Sequence, residues 1–212
     1  MQAEEVPWVS GEGMADQPSM LRSAQAMADH LHAGGAGVMP TDTLPALVAI
    51  PAHAKQIWTL KQRPAEKPLI LMASTSESLL ALATVEVRNA ARPLVEQHWP
   101  GALTLVVPLS NEPLACALVD CLNPGATTLG LRVPACAQAR GLMECTGPLA
   151  TTSANPSGEP PALNPDQASL YFPQVPLLGP LPWPHPGGQA STVLAWAGDG
   201  RWQTLRQGAV IP

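Results

Sequence analysis

Charge is scarce in this sequence, and its balance does not suit a protein that binds nucleic acid over its whole surface. Only 13% of the 212 residues are charged, and the formal net charge at pH 7 is −5. A molecule with this balance can capture a polyanion only through a local cluster of cations. Bulk binding of RNA or DNA is therefore disfavoured.

Long apolar runs are also lacking, and Tyr and Phe are almost absent. No stretch reaches the roughly 18 apolar residues that a membrane-spanning helix needs. The acidic start, Met1–Glu5, lacks the basic and apolar regions of a signal peptide. One Tyr and one Phe leave aliphatic side chains and six Trp to form the core. We therefore expect a cytoplasmic protein with an aliphatic core and no membrane partner.

The sequence contains none of the common signatures of metal or nucleotide sites. Its four cysteines form no C-x-x-C pair, and its five histidines form no H-E-x-x-H motif. No P-loop, G-x-G-x-x-G turn or G-x-S-x-G elbow is present, so Ser153 is a poor candidate for a nucleophile. We expect reduced, buried thiols, histidines with surface or core roles, and no metal held by protein side chains alone.

Helix and strand patterns alternate along the chain, which is typical of an α/β fold. We expect a flexible leader at residues 1–18 and one domain over residues 19–212. Pro93 weakens one of the helix predictions. The predicted helices lie near residues 20–33, 54–62, 76–83, 87–98 and 136–145, and the predicted strands lie near residues 38–39, 69–72, 103–107, 128–133, 149–153, 191–196 and 202–205.

One part of the domain is unusually rich in proline. Ten of the 31 residues from Pro156 to Pro186 are proline. Proline removes a backbone donor and restricts the residue before it, so regular structure is disfavoured here. We expect an extended surface loop over about residues 156–190.

Three cations cluster after the second predicted helix. Lys61, Arg63 and Lys67 lie within seven residues, and Pro64 and Pro68 restrict the backbone around them. A guanidinium forks onto phosphate oxygens and an ammonium acts as a compact charge, so the trio suits a triphosphate. Alternatively, the cations form a solvated helix end that complements the helix dipole.

A run of hydroxyl and amide groups follows the strand near residues 149–153. Ser153, Asn155 and Ser157 are interleaved with Pro156 and followed by Gly158. Such groups can hydrogen-bond phosphate, ribose or a carboxylate, and the backbone N–H groups can form an anion nest. The alternative is an ordinary turn rich in Ser and Asn.

A charged residue interrupts an otherwise apolar strand. Arg132 would be costly there without a partner, so it should face a ligand or a carboxylate. Asp42 is one possible structural partner. Thr41 and Thr43 flank Asp42, either as ligand contacts or as the caps of a turn.

The order of these runs resembles the YrdC-like family, the domain of threonylcarbamoyl-AMP synthases. The similarity extends over residues 38–211, and each run is short. The matching runs are Pro40-Thr41-Asp42-Thr43, Lys61-Gln62-Arg63-Pro64 with Lys67-Pro68-Leu69-Ile70, Trp99-Pro100-Gly101-Ala102-Leu103-Thr104, Thr128 through Arg132-Val133-Pro134, Ser153-Ala154-Asn155-Pro156-Ser157-Gly158, Ser191-Thr192-Val193, and Leu205-Arg206-Gln207-Gly208-Ala209.

The resemblance implies a twisted, open α/β sheet of mixed strand direction, with flanking helices and a basic concave cavity. It also implies a nucleotidyltransferase that joins L-threonine, bicarbonate and ATP into threonylcarbamoyl-AMP and pyrophosphate. Mg²⁺ would be held mainly by the phosphates. The product would pass to tRNA threonylcarbamoyl-transfer proteins, for modification of the tRNA adenosine beside the anticodon.

The resemblance further implies roles for individual residues. No covalent nucleophile is needed, and Lys61 and Arg63 would stabilise charge. The residues expected to bind ATP are Arg63, Lys67, Thr128, Ser153, Asn155 and Arg206. The residues expected to bind threonine are Thr43, Arg132, Thr151 and Ser191.

The sequence also departs from the family pattern on the side expected to bind threonine. Leu44–Leu47 replaces a common Tyr-Gly-Leu run, and Met72 stands where many members have His. Ala190 replaces a frequent Pro, and Ala195 replaces a frequent Asp. An alternative function is therefore a non-catalytic or altered-substrate relative that binds nucleotide, tRNA or double-stranded RNA in the same cavity.

Overall fold

The chain folds around one ten-stranded sheet. The computed structural model describes residues 20–64 and 66–212, so the predicted leader lies outside the described residues. The strands are β1 Leu21–Arg22, β2 Gly37–Met39, β3 Ala46–Ala49, β4 Ile70–Met72, β5 Leu103–Pro108, β6 Thr128–Arg132, β7 Leu149–Ser153, β8 Leu177–Leu178, β9 Thr192–Trp196 and β10 Trp202–Arg206. The helices are α1 Ala24–His32, α2 Lys55–Lys61, α3 Ser76–Leu80, α4 Val85–His98, α5 Pro113–Leu122, α6 Ala137–Thr146 and α7 Pro165–Tyr171, with a 3₁₀ helix at Pro51–His53.

The sheet is open and mixed. Its strand order is β1-β8-β2-β3-β7-β4-β6-β5-β9-β10. The pairs β1–β8, β8–β2, β4–β6 and β5–β9 are parallel, and the other pairs are antiparallel. The expected single α/β domain with a mixed sheet and flanking helices is therefore confirmed, as is the final hairpin, β9–β10.

Two apolar cores lie on opposite faces of this sheet. Successive side chains of a strand point to opposite faces, and the two cores divide the strands in this way. Leu47 and Leu71 belong to the larger core, whereas Val48 and Met72 belong to the smaller one. Helices α2 to α5 and α7 cover the larger core, and α1 and α6 cover the smaller one. Part of the α1–α6 face remains open, and the candidate site lies there.

Most predicted elements are present, but one helix and several short strands were missed. Helix α4 runs through Pro93, because its capped start and buried face outweigh the loss of one hydrogen bond. Helix α5 was not predicted, although Pro113 lies in its first turn, where a missing N–H costs little. Strands β1, β3 and β8 were also missed; they are two to four residues long, too short to show alternation.

The expectation of no regular structure in the proline-rich segment was wrong. This segment contains α7, which begins at Pro165 after the side-chain cap of Asn164, and it also contains β8. Phe172 and Trp183 are buried in the larger core. Prolines at the first turn of a helix or between short elements do not prevent such packing.

The expectation of buried thiols was also mostly wrong. All four cysteines are free, but Cys136 alone is buried, while Cys116 and Cys145 are exposed. None of the helices within residues 20–64 and 66–212 is both long and apolar enough to cross a membrane.

Candidate active site

A cavity of about 190 Å³ opens on the face of the sheet that α1 and α6 leave uncovered. Three guanidinium groups contribute to its wall, and no carboxylate is found among the described residues that line it. The lining residues are Thr43, Leu44, Ala46, Arg63, Pro68, Ile70, Met72, Arg132, Thr151, Thr152, Ser153, Ala190, Ser191 and Arg206. The cavity is therefore basic, as the family resemblance implied.

Arg132 forms the deepest charged part of the wall. Its guanidinium is buried and pairs with Asp42, the two groups being 2.7 Å apart (NH2 to Oδ1). Nε donates to the Gly101 carbonyl oxygen at 2.9 Å, and NH1 donates to Thr43 Oγ1 at 2.8 Å. Burial lowers the pKa of Arg132, and Asp42 opposes that shift. Arg132 was expected to face a ligand or a carboxylate, and its pairing with the Asp42 carboxylate confirms this expectation.

The turn that carries Asp42 is held by a buried hydroxyl. Thr41 Oγ1 accepts from the backbone N–H groups of Thr43 and Leu44, each at 3.1 Å, and donates to the Leu44 carbonyl oxygen at 2.7 Å. Thr41 therefore caps the turn. Thr43 instead lines the cavity beside Arg132, so the two threonines have different roles.

Lys61, the last residue of α2, lies behind the cavity wall and is not the solvated cation of the alternative interpretation. Its side chain is 1% exposed. The ammonium donates to the Ser153 carbonyl oxygen and, at 3.3 Å, to Asn155 Oδ1. Burial and the nearby charge of Arg63 lower the pKa of Lys61 from 10.5 to about 7. The lysine thus fixes the loop after β7 through neutral oxygen acceptors.

That loop is fixed further by Asn155. The Asn155 amide Nδ2 donates to the Pro156 and Glu159 carbonyl oxygens at 2.9 and 2.7 Å. Its Oδ1 accepts from Ser153 Oγ at 2.6 Å as well as from Lys61. The Ser153 side chain thereby stands at the cavity wall while Asn155 stays behind it.

Two further guanidiniums stand at the rim of the cavity. Arg63 donates to the carbonyl oxygens of Lys67 and Pro68, at 3.4 and 3.1 Å. Arg206 donates through Nε and NH2 to the Ser191 carbonyl oxygen, at 3.1 and 2.9 Å. Partial burial lowers the pKa of each arginine. Because these partners are neutral oxygens, neither charge is paired with a carboxylate within the described residues.

The structure brings together most of the site residues predicted from the sequence. Four of them do not line the cavity: Lys61 and Asn155 lie behind it, Lys67 is exposed beside Arg63, and Thr128 begins β6 opposite Pro108. The predicted residues that line it are Thr43, Arg63, Arg132, Thr151, Ser153, Ser191 and Arg206. Their roles in binding stay predictions.

Several lining residues had no role assigned from the sequence. Pro68, Ile70, Thr152 and Ala46 belong to the wall. The alternation of β4 could have identified Ile70, because residues i and i+2 share a face and Met72 borders the cavity. Ala195, one of the departures from the family pattern, lies outside the lining.

Comparison with known proteins agrees with the fold and the motifs. The model of the Sua5/YciO/YrdC family, described as "Telomere recombination", matches residues 29–208. The threonylcarbamoyl-AMP synthase of Marinobacter nauticus is 36% identical over 104 residues, which are 47% of this chain and 54% of that protein. The matches to four curated relatives, this one included, cover between 25% and 54% of the length of those proteins.

Two solved structures share the architecture. P. abyssi Sua5 in complex with L-threonine superposes with a TM-score of 0.78 and 27% identity, covering 89% of this chain and 57% of that one. E. coli YciO superposes with a TM-score of 0.75, covering 90% of this chain and 96% of that one, but at 23% identity it supports the fold alone. Because the family model matches most of its length, this chain belongs to the Sua5/YciO/YrdC family.

Proposed function

We propose that this protein is an L-threonylcarbamoyladenylate synthase, which makes threonylcarbamoyl-AMP and pyrophosphate from L-threonine, bicarbonate and ATP. The observation that carries the proposal is the convergence of Arg63, Arg132 and Arg206 on one cavity without a lining carboxylate. Three guanidiniums around one cavity suit a ligand with several negative charges. Curated relatives of this chain carry the name threonylcarbamoyl-AMP synthase.

The proposed reaction needs no covalent intermediate with the protein. The threonine amine attacks bicarbonate, and loss of water gives a carbamate. A carbamate oxygen then attacks the α-phosphorus of ATP, the bond to the β-phosphate breaks, and pyrophosphate leaves with the electron pair. The protein's part is to align the reactants and to neutralise the charge that develops on the phosphates.

The nucleotide would lie along the rim. Arg63 would contact the triphosphate, with Lys67 adding charge from the exposed side, and Ser153 and Arg206 would contact the rest of ATP. Asn155 and Lys61 would help to hold ATP indirectly, by fixing the loop after β7. Thr128, at the start of β6, would also help to hold the nucleotide. Mg²⁺ would draw its ligands mainly from the phosphates, since the described residues contain no group of three or more side chains suited to a metal.

Threonine would lie deeper, beside Arg132. Arginine has five N–H donors, and the bonds to Gly101, Thr43 and Asp42 use three of them. One N–H on each terminal nitrogen of Arg132 is thus left for the threonine carboxylate. Thr151 and Ser191 would contact other polar groups of the amino acid. The apolar neighbours Leu44 and Met72 favour the alternative of an altered amino-acid substrate.

The product of the proposed reaction indicates which proteins receive it and in which compartment the protein acts. Threonylcarbamoyl-AMP is an activated carbamoyl donor that must be passed to proteins that modify the tRNA adenosine beside the anticodon. This role places the protein in the cytoplasm.

A pyrophosphate-release assay tests the proposal. Release should require both L-threonine and bicarbonate. The Arg63→Ala variant should lose about 100-fold in kcat/KM, because a charge-assisted contact to the phosphates is removed. Arg201→Ala is the matched control, since it removes the same charge from an exposed turn outside the cavity, and it should leave the rate unchanged.

The same preparation distinguishes the alternatives. Calorimetry that shows ATP binding without an effect of L-threonine would reject the synthase and favour an altered substrate. RNA binding with a steep salt dependence, combined with no turnover, would favour the nucleic-acid-binding alternative.

A further inference from the structure

A buried hydroxyl outside the cavity connects two stretches of the chain that adjoin lining residues. Thr192, in β9, is fully buried and does not line the cavity. Its Oγ1 accepts from the backbone N–H groups of Gly208 and Val210, at 2.9 and 3.3 Å. It also donates to the Val210 carbonyl oxygen. One side chain therefore satisfies three backbone groups of the segment Gln207–Val210.

This 207–210 segment lies directly against the chain at Ala190 and Ser191. The Ala209 N–H donates to the Ala190 carbonyl oxygen at 2.9 Å. A Cβ atom on Gly208 would fall 2.2 Å from that same oxygen and 2.4 Å from the carbonyl carbon of Ser191. The two stretches of backbone thus touch with no room for a methyl group. Position 208 therefore requires glycine, because the two backbones approach so closely there.

The contact surface continues into the cavity. Ala190, Ser191 and Arg206 all line it. Arg206 directly precedes the 207–210 segment, and its Nε and NH2 both donate to the Ser191 carbonyl oxygen. Ser191 Oγ is in turn 2.9 Å from Thr104 Oγ1. The Arg206 guanidinium is therefore bonded to the same residue against which the 207–210 segment packs.

We propose that Thr192 is a positioning residue, whose hydroxyl seats the 207–210 segment against Ala190 and Ser191 and so holds Arg206 and Ser191 at the cavity wall. Thr192 itself touches no ligand. Loss of its hydroxyl leaves the N–H groups of Gly208 and Val210 without that acceptor, while the Val210 carbonyl oxygen keeps the Gln207 side chain as a donor. The segment that carries Arg206 then shifts away from Ser191. The kinetic consequence rests on the proposed synthase function, whereas the structural consequence does not.

The test compares Thr192→Val with Thr192→Ser. Valine keeps the volume and lacks the hydroxyl, while serine keeps the hydroxyl. Thr192→Val should raise the KM for ATP about tenfold, as expected when a charged contact is misplaced. Its kcat per folded molecule should change far less, and Thr192→Ser should restore the wild-type KM. A residue that only stabilises the fold would lower the active fraction and leave KM unchanged.

A second readout does not depend on the activity. The ¹⁵N–¹H resonance of Arg206 Nε, identified by its loss in Arg206→Lys, should exchange slowly with water in the wild type and Thr192→Ser, and rapidly in Thr192→Val. Gly208→Ala should reproduce the Thr192→Val result, which covers the case in which the valine variant does not fold. Thr204→Val, on the exposed part of β10, is the control.

The inference is overturned if the folded valine or alanine variant keeps both the protected resonance and a KM within twofold of the wild type. It is also overturned if the resonance changes while KM does not. A wild-type protein without threonine-dependent pyrophosphate release would instead reject the proposed function. The Arg206 Nε resonance would then still test whether the Thr192 hydroxyl positions Arg206.

Discussion

Arg132 and Lys61 are both buried cations beside the cavity, and the structure compensates their charges in different ways. Arg132 pairs with Asp42, and two of its five N–H groups have no partner within the described residues. Lys61 has no ion pair within the described part of the chain, and its ammonium contacts a carbonyl oxygen and an amide oxygen. Neutral acceptors stabilise an ammonium less than a carboxylate does.

This difference separates a permanent charge from a titratable one. A guanidinium keeps its proton at any ordinary pH, so Asp42 and Arg132 form a fixed pair. The Lys61 ammonium loses solvation on burial without gaining a carboxylate, and its pKa falls to about 7. A neutral amine can still donate to both oxygens, so the loop of Ser153 and Asn155 can stay fixed while the charge disappears.

The largest expected effect is a dependence of stability on pH that comes from Lys61. The unfolded chain holds this proton up to about pH 10.5, whereas the folded chain releases it near pH 7. Below pH 7 the folded chain bears the full free-energy cost of burying the Lys61 ammonium. That cost is relieved as the pH rises from 7 toward 10.5, because the folded chain then holds the neutral amine. The free energy of unfolding, relative to Lys61→Met, should therefore rise by about 3 to 4 kcal/mol from pH 7 to 10.

Urea unfolding of both proteins at several pH values measures this difference. Lys55→Met is the control, because Lys55 is exposed at the start of α2, and it should follow the wild type. A constant difference between wild type and Lys61→Met over this window would show that Lys61 titrates normally. The proposed contrast with Arg132 would then fail.

A somewhat smaller effect is expected when the Arg132 pair is broken. Arg132→Met removes the charge, and the Asp42 carboxylate then keeps, from the described part of the chain, the Ala135 N–H at 3.0 Å as its one donor. Breaking a buried pair costs about 3 to 5 kcal/mol. Because Asp42 is 19% exposed, water offsets part of this cost, and we expect a loss of about 2 to 3 kcal/mol in urea unfolding.

The double variant Arg132→Met with Asp42→Asn sharpens this prediction. Removal of both charges should cost less than the sum of the two single changes, because neither charge is then left alone. The loss should also be independent of pH above 7, unlike that of Lys61→Met. Additive losses in the double variant would show that the pair is not coupled.

The two cations also show what the sequence could predict. An arginine within the apolar strand β6 requires a partner on physical grounds, so both Asp42 and the cavity could be inferred. Lys61 lies three residues after the buried Trp58, at the end of a helix. A lysine at such a position is equally typical of a solvated cation. Its acceptors, Ser153 and Asn155, lie 92 and 94 residues further along the chain. Nothing local indicates that this lysine is buried.

Other parts of the structure were unpredictable for the same reason. The cavity motifs could be identified because each has polar groups at strand or helix ends. Thr192 also begins a strand and belongs to the run Ser191-Thr192-Val193, but its contacts could not be predicted, since its partners Gly208 and Val210 are set by how the chain returns past β9. The proline-rich segment misled the prediction because proline is compatible with the first turn of α7.

The smallest expected effect on stability comes from a cation at the rim. Arg206→Lys should change the free energy of unfolding by less than about 0.5 kcal/mol, because most of the residue is exposed and lysine keeps one donor for the Ser191 carbonyl oxygen. Lysine keeps the charge but loses the fork, so the affinity for ATP should fall by about threefold in calorimetry. Arg206→Met should lower it further at the same stability. If Arg206→Lys instead destabilised the fold as much as Arg132→Met, the arginine at the rim would contribute as much to stability as the buried one. Burial would then not distinguish the arginines that stabilise the fold from those available to a ligand.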